Sequence, residues 1–324
     1  MGADEANAML RYLTFRLAVA LRLGAAVLGL IVAVVPSSIA AQAQKTFATP
    51  EAAVDALIAA NRDNHLDELL AILGPAGARL IHSGDPVADD HGRARFVASY
   101  DEAHKLELDG ANKATLIVGK DQWPLPLPLV GEHDRWHFDT KAGVEEILNR
   151  RIGRNELTVI QICRAYATAQ REYSAMRLGP GGTPEYAQHF MSKDGRRDGL
   201  YWPVNPGEPE SPLGPLIAQA RAAGYQPGTP HLKPRPYYGY YFRILTRQGD
   251  NAAGGAKNYM ADGHMTRGFA LLAYPATYGD SGIMTFMVGQ TGIVYEKNLG
   301  PKTENIASQI DHYDPDVSWQ PSKP

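Results

Sequence analysis

The sequence has a single cysteine, Cys163, in 324 residues. An internal disulfide is therefore excluded, and with it a small disulfide-stapled fold. No cysteine stands near the N-terminus to carry a lipid. A basic excess is also missing: 32 Lys and Arg face 35 Asp and Glu, for a net charge of −3. Such a balance offers no general attraction for nucleic acid. The longest apolar run, Leu23 to Val35, covers thirteen residues; a membrane-spanning helix needs about 20. No internal repeat is visible.

Catalytic and metal motifs are equally scarce. Asp85, Asp89, Asp90 and His91 form one acidic cluster, and Asp311, His312, Asp314 and Asp316 another. Both lack the Gly and Glu of a calcium loop; helix capping and a polar tail account for them. His133 and His137 share a strand face without a paired ligand motif. Gly279-Asp280-Ser281-Gly282 is similar to a protease nucleophile string, but none of the ten histidines has the matching context, and a β-turn explains it. The glycine-rich stretch from Gly249 to Lys257 links two predicted strands, whereas a phosphate loop must lead into a helix. Cys163 sits in an apolar helical pattern and is expected to be buried. Accordingly no catalytic residue, metal or cofactor is assigned.

What is present begins at the N-terminus. Arg11, Arg16 and Arg22 precede the apolar run, and Pro36-Ser37-Ser38 and Ala41-Gln42-Ala43 follow it. This is the layout of a secretory signal with an A-x-A cleavage site. It predicts cleavage near Ala43, a periplasmic or secreted protein, and no membrane span thereafter. Translation starts at Met1 or at Met9; the second start gives a more ordinary signal, free of Asp4 and Glu5. Removing residues 1–43 leaves the remainder slightly acidic.

Patterning then divides the chain. Residues 44–140 read as an α+β half. Thr49 and Pro50 suit an N-cap and the first helical position. Two further helices follow, the third reaching about His104 with Phe96, Val97 and Tyr100 inward. Strands are expected at Ala114 to Val118 and Arg135 to Asp139. Between them, Trp123 to Val130 alternates proline with leucine, which restricts it to a sheet edge or an unpaired extended path. Residues 141–178 carry the longest helical pattern, with Gly153 as its one weak point. Residues 179–236 are rich in Pro and Gly and read as ordered loops with a short helix near Pro215 to Ala223. Residues 237–310 are β-rich, and residues 311–324 read as a polar tail. The class is α+β: N-terminal helices with an antiparallel sheet (cone-like, of the nuclear transport factor 2 or cystatin kind), a long central helix and a C-terminal antiparallel sheet.

Two constellations have binding potential. Arg150, Arg154 and Glu156 lie in a dense polar cluster on the long helix. Arg150 and Arg154 share a face, and Glu146 precedes Arg150 by four residues, the favourable order for an ion pair. Guanidinium groups of this kind grip carboxylate or phosphate bidentately. Asp198, Tyr201 and Trp202 place a carboxylate and two aromatics beside a turn, joined by the tyrosines at 237, 238, 240 and 241. Such aromatics pack loops onto sheets or stack on a ligand.

The chain resembles a bacterial family catalogued as domain of unknown function 2950. The resemblance is carried by S-G-D-P-V-A-D at Ser83 to Asp89, W-P-L-P-L-P at Trp123 to Pro128 and W-H-F-D-T at Trp136 to Thr140. It continues through E-E-I-L-N-R-R-I-G-R-N-E at Glu145 to Glu156, A-Q-R-E-Y at Ala169 to Tyr173 and D-G-L-Y-W-P at Asp198 to Pro203. G-Y-Y-F-R-I-L-T at Gly239 to Thr246, G-F-A-L-L-A-Y-P at Gly268 to Pro275, Y-G-D-S-G-I-M-T-F at Tyr278 to Phe286 and V-Y-E-K-N-L-G at Val294 to Gly300 complete it. The resemblance implies an exported bacterial protein and supplies no catalytic residues. Asn298 departs from it where an acidic residue is expected.

The features favour a non-catalytic envelope protein that binds a small ligand or an envelope protein partner. The alternative is a periplasmic hydrolase acting on a cell-wall component, with Asp198 and Glu156 as acid–base groups. A third possibility is structural assembly, the C-terminal sheet adding strands to a partner.

Overall fold

Thr49 caps the first helix with its hydroxyl, which accepts from the Ala52 amide at 3.1 Å. That helix, α1 (Pro50–Arg62), buries Ala53, Val54, Leu57 and Ile58 on one face. Helix α2 (Leu66–Leu73) stops at Gly74, whose φ of 68° lies where glycine is favoured. A short turn leads to α3 (Ala78–Ile81). Asp85 then caps α4 (Pro86–Glu102), accepting from the Ala88 amide at 3.1 Å. The computed structural model describes residues 43–226 and 235–323. The signal segment before residue 43 and part of the Pro/Gly-rich stretch lie outside the described residues.

Helix α4 ends at Glu102, and the chain turns at once into β1 (His104–Leu108). This strand is absent from the sequence reading. Its H-K-L-E-L pattern is polar because it is an exposed edge strand, paired only with β2 (Lys113–Val118). Strands β3 (Trp123–Pro124), β4 (Leu129–Glu132) and β5 (Arg135–Phe138) complete an antiparallel sheet ordered β1-β2-β4-β5, with β3 on β2. From Pro126 to Pro128 the chain is an unpaired strap, as its prolines require.

Asp139 caps α5 (Thr140–Met176), a 37-residue helix that passes through Gly153 without a break. Its first half presents Val144, Leu148 and Ile152, and its second half Val159, Ile160, Cys163, Tyr166 and Tyr173. Two cores result. The first gathers Leu57, Ile72, Leu116, Leu129 and Phe138, with Ile147 of α5 packed against it. The second gathers the later half of α5 with the C-terminal sheet.

The described residues between α5 and α6 (Gly214–Ala222) send Leu200, Tyr201, Trp202 and Leu213 into the second core. Strand β6 (Tyr240–Leu245) opens the sheet. Two short ladders follow: β7 (Arg247–Gln248) with β8 (Lys257–Asn258), and β9 (Met260–Ala261) with β10 (His264–Met265). Strands β11 (Ala270–Pro275), β12 (Met284–Gly289) and β13 (Val294–Asn298) follow in the stretch read as β-rich. After α7 (Thr303–Gln309), β14 (Gln320–Pro321) pairs with β13, giving the order β14-β13-β12-β11-β6. Residues 311–324, read as a polar tail, thus supply an edge strand and bury Tyr313 and Trp319. No described helix is long and apolar enough to cross a membrane.

Candidate functional site

The described residues belong to one compact unit, and a few contacts fix its first half against its second. Asp85 is buried and does two jobs. Its Oδ1 caps α4, and its Oδ2 accepts from the Tyr225 hydroxyl and the Gly239 amide, both at 2.8 Å. Burial, together with the Asp85 carboxylate, pushes the Tyr225 phenol up. The Arg79 Nε donates to Asp280 at 2.7 Å, and the Asn155 Nδ2 donates to the Ser281 carbonyl at 2.9 Å.

These contacts leave a cavity of about 700 Å³ between α4 and α5. That size is typical of small-molecule sites. Helix α4 contributes Asp89, Gly92, Arg93, Arg95 and Phe96; α5 contributes Ile147, Arg150, Arg151, Arg154 and Asn155. Leu57, Leu69 and Leu73 of α1 and α2 form the apolar wall, with Leu125 and Leu127 from the proline strap. Tyr225 and Tyr238 stand at the end nearest the Asp85 contact.

Five arginines and one aspartate line this space, in a chain whose net charge is negative. The arginines are held differently. Arg151 is locked, donating to the carbonyls of Arg79 and Leu80 at 2.9 and 2.6 Å. Arg150 pairs with Glu146 at 2.7 Å and lies over the Trp123 ring at 5.2 Å. Arg93 pairs with Asp90, yet its buried Nε has no acceptor among the described residues. Arg154 and Arg95 form no ion pair among the described residues. Burial and then the charges of Arg95 and Arg150 push the Arg154 guanidinium below its usual range, so its charged neighbours are arginines. Gathering like charges this way is unfavourable unless an anion joins them.

Asp89 is the single carboxylate of the lining. Burial raises its pKa, opposed by the hydrogen bond from the Ser83 amide at 2.9 Å and by Arg151 and Arg93. A carboxylate with a raised folded pKa favours folding at low pH and loses that contribution as pH rises through its folded value. Asp89→Asn is therefore expected to be more stable than wild type at pH 7, with the gap closing on acidification below about pH 4. Urea unfolding at both pH values checks this. A less stable variant at pH 7 would mean that the arginine contacts outweigh burial.

The sequence-predicted residues separate. Arg150 and Arg154 both line the cavity. Glu156 does not: its Oε1 accepts from the Ile283 and Met284 amides at 2.8 and 2.9 Å, on the side of α5 that faces β12. Asp198 accepts from the Lys193 amide at 2.9 Å within its own loop. Tyr201 and Trp202 are buried in the second core, beneath Arg221 and Arg197 respectively. Arg93, Arg95 and Arg151 are the lining residues that sequence reasoning missed. The R-A-R triplet at 93–95, on a helix otherwise rich in small residues, was the available signal.

Other motifs are structural. Cys163 is fully buried, and burial pushes its thiol up to about 12. Ser281 accepts from the Thr277 amide at 2.9 Å and donates to its carbonyl at 3.1 Å, closing a turn. The loop from Gly249 joins β7 to β8.

Compared with known proteins, residues 44–322 match one family model, described as "Protein of unknown function (DUF2950)". No curated protein and no solved structure matches the chain.

Proposed function

The chain belongs to the DUF2950 family, and on that premise we propose that it is an exported protein which binds a small anionic molecule in the cavity between α4 and α5. The observation that carries the reading is the convergence of Arg95, Arg150 and Arg154 on the cavity, with Arg95 and Arg154 forming no ion pair among the described residues. Guanidinium groups present paired donors that suit carboxylate and phosphate oxygens. Local concentration of arginine in an acidic chain serves a site rather than general adhesion.

A binding role is favoured over hydrolysis. The acid–base groups of the hydrolase alternative, Glu156 and Asp198, accept backbone amides away from the cavity. Within the lining, Asp89 accepts the Ser83 amide. Export is supported by the secretory layout of residues 11–43 and by a family match that begins at residue 44. Fractionation of the producing cell tests it: uncleaved protein in the cytoplasm would sink the signal assignment.

The anion site is tested by calorimetric titration with inorganic phosphate. The double variant Arg95→Ala, Arg154→Ala is expected to lose at least about tenfold in affinity, since a hydrogen bond to a charged group contributes roughly 1.5–3 kcal/mol. Affinity should also fall with added salt. Equal binding by wild type and the double variant would remove the cavity from consideration.

A further inference from the structure

We infer that the occupant of this cavity is a single-chain amphiphile, an oxyanion headgroup carried on a hydrocarbon chain. The inference rests on the anion-binding reading and extends it from the headgroup to the rest of the molecule.

Three observations support a chain. First, the cavity is far larger than a bare phosphate or carboxylate, and Leu57, Leu69, Leu73, Leu125, Leu127 and Ile147 line its apolar side. An inorganic anion alone would leave that side wet. Second, several of the other polar lining groups have a donor engaged within the protein. Asn61 donates to the Leu57 carbonyl at 2.7 Å, Asn155 to Ser281 and Thr158 to the Arg154 carbonyl at 2.9 Å. A sugar or a nucleobase needs free donors and acceptors to be read, whereas a hydrocarbon chain needs none. Third, the buried Arg93 Nε has no acceptor among the described residues, and a headgroup oxygen would supply one.

Gly92 gives the inference a handle. Asp89, Gly92 and Phe96 follow helical spacing and all line the cavity, so position 92 lies between the charged and apolar ends of one helix face. A Cβ built on Gly92 meets nothing within 4 Å. Leucine there would therefore project into open space without clashing with the fold, and replacing a helical glycine favours the helix.

The test is a calorimetric series with inorganic phosphate, hexyl phosphate and dodecyl phosphate below its micelle concentration, with dodecanoate as a second headgroup. Each buried methylene multiplies affinity by about fourfold, so dodecyl phosphate is expected to bind at least ~100-fold tighter than inorganic phosphate even if only part of the chain is buried. Gly92→Leu is expected to keep its thermal stability while losing the gain in affinity from chain length. If dodecyl phosphate binds no tighter than phosphate, the amphiphile inference falls and the anion site stands. If neither phosphates nor dodecanoate bind, both fall. A chain-length gain that survives Gly92→Leu places the hydrocarbon outside the cavity and overturns the inference.

Discussion

Gly143→Ala is expected to destabilise the protein by about 3 kcal/mol or more, the upper range for overpacking a tight site. A Cβ at this position would lie 1.6 Å from the Pro126 carbonyl oxygen and 2.4 Å from its carbon. The obstacle is backbone, so no side-chain rotation relieves it. Nor can the strap withdraw easily. Pro126 and Pro128 fix their own φ, while Leu127 and Leu129 on either side of Pro128 are 3% and 0% exposed. Against a total stability of roughly 5–15 kcal/mol for a typical protein, such a loss lowers the yield of folded protein. Gly153→Ala in the same helix is the control. Its Cβ meets nothing within 4 Å, and helix propensity alone predicts a gain of up to about 1 kcal/mol. Urea unfolding of both variants checks the pair. A Gly143→Ala protein within experimental error of wild type would show that the strap moves freely. Because Leu125 and Leu127 line the cavity, it would also mean that one cavity wall is adjustable.

Glu156→Ala is expected to cost about 3 kcal/mol, because two amides lose a charged acceptor and hydrogen bonds to charged groups contribute roughly 1.5–3 kcal/mol each. Ile283 and Met284 enter β12 with their amides directed at one carboxylate oxygen, and the buried Tyr240 hydroxyl lies 3.4 Å from it. Burial and then the Glu156 charge hold the Tyr240 phenol well above its usual range. Glu156→Gln keeps an acceptor oxygen in the same place and is expected to lose less than about 1 kcal/mol. The two substitutions separate a structural role from an acid–base role, since amide replacement abolishes proton transfer but preserves this grip. Equal losses for Ala and Gln, or none for Ala, would refute the assignment.

The contrast between Glu156 and Arg154 shows how far the sequence could be read. Both fall in one polar string, yet residues two apart on a helix do not face each other. Spacing alone therefore separates Glu156 from the Arg150 and Arg154 face, and the structure places them on different sides of α5. The pairing of that face with Arg95 was not legible. It depends on α4 packing across from α5, and no local pattern encodes a partner more than fifty positions away. The same distinction holds for the fold. The start of α1 follows from the chemistry of Thr49 and Pro50, and the C-terminal strands follow from alternation and turn residues. Strand β1 escaped because it is short and mostly exposed, with only Leu106 and Leu108 on one face against Lys105 and Glu107 on the other, and β14 because its pairing depends on where β13 lies. Trp202 and Tyr201 show a further limit: an aromatic beside a turn has the same sequence signature whether it packs a loop or meets a ligand.

The continuity of α5 has a consequence for how the molecule comes apart. At 1.5 Å per residue its 37 residues make a rod of about 55 Å. The N-terminal part of that rod closes one core and the C-terminal part supports the other, so neither core is complete on a chain cut within it. Melting would then be a single cooperative event, with one calorimetric peak for both halves. During synthesis the earlier core must wait for residues beyond 140 before its apolar side is covered.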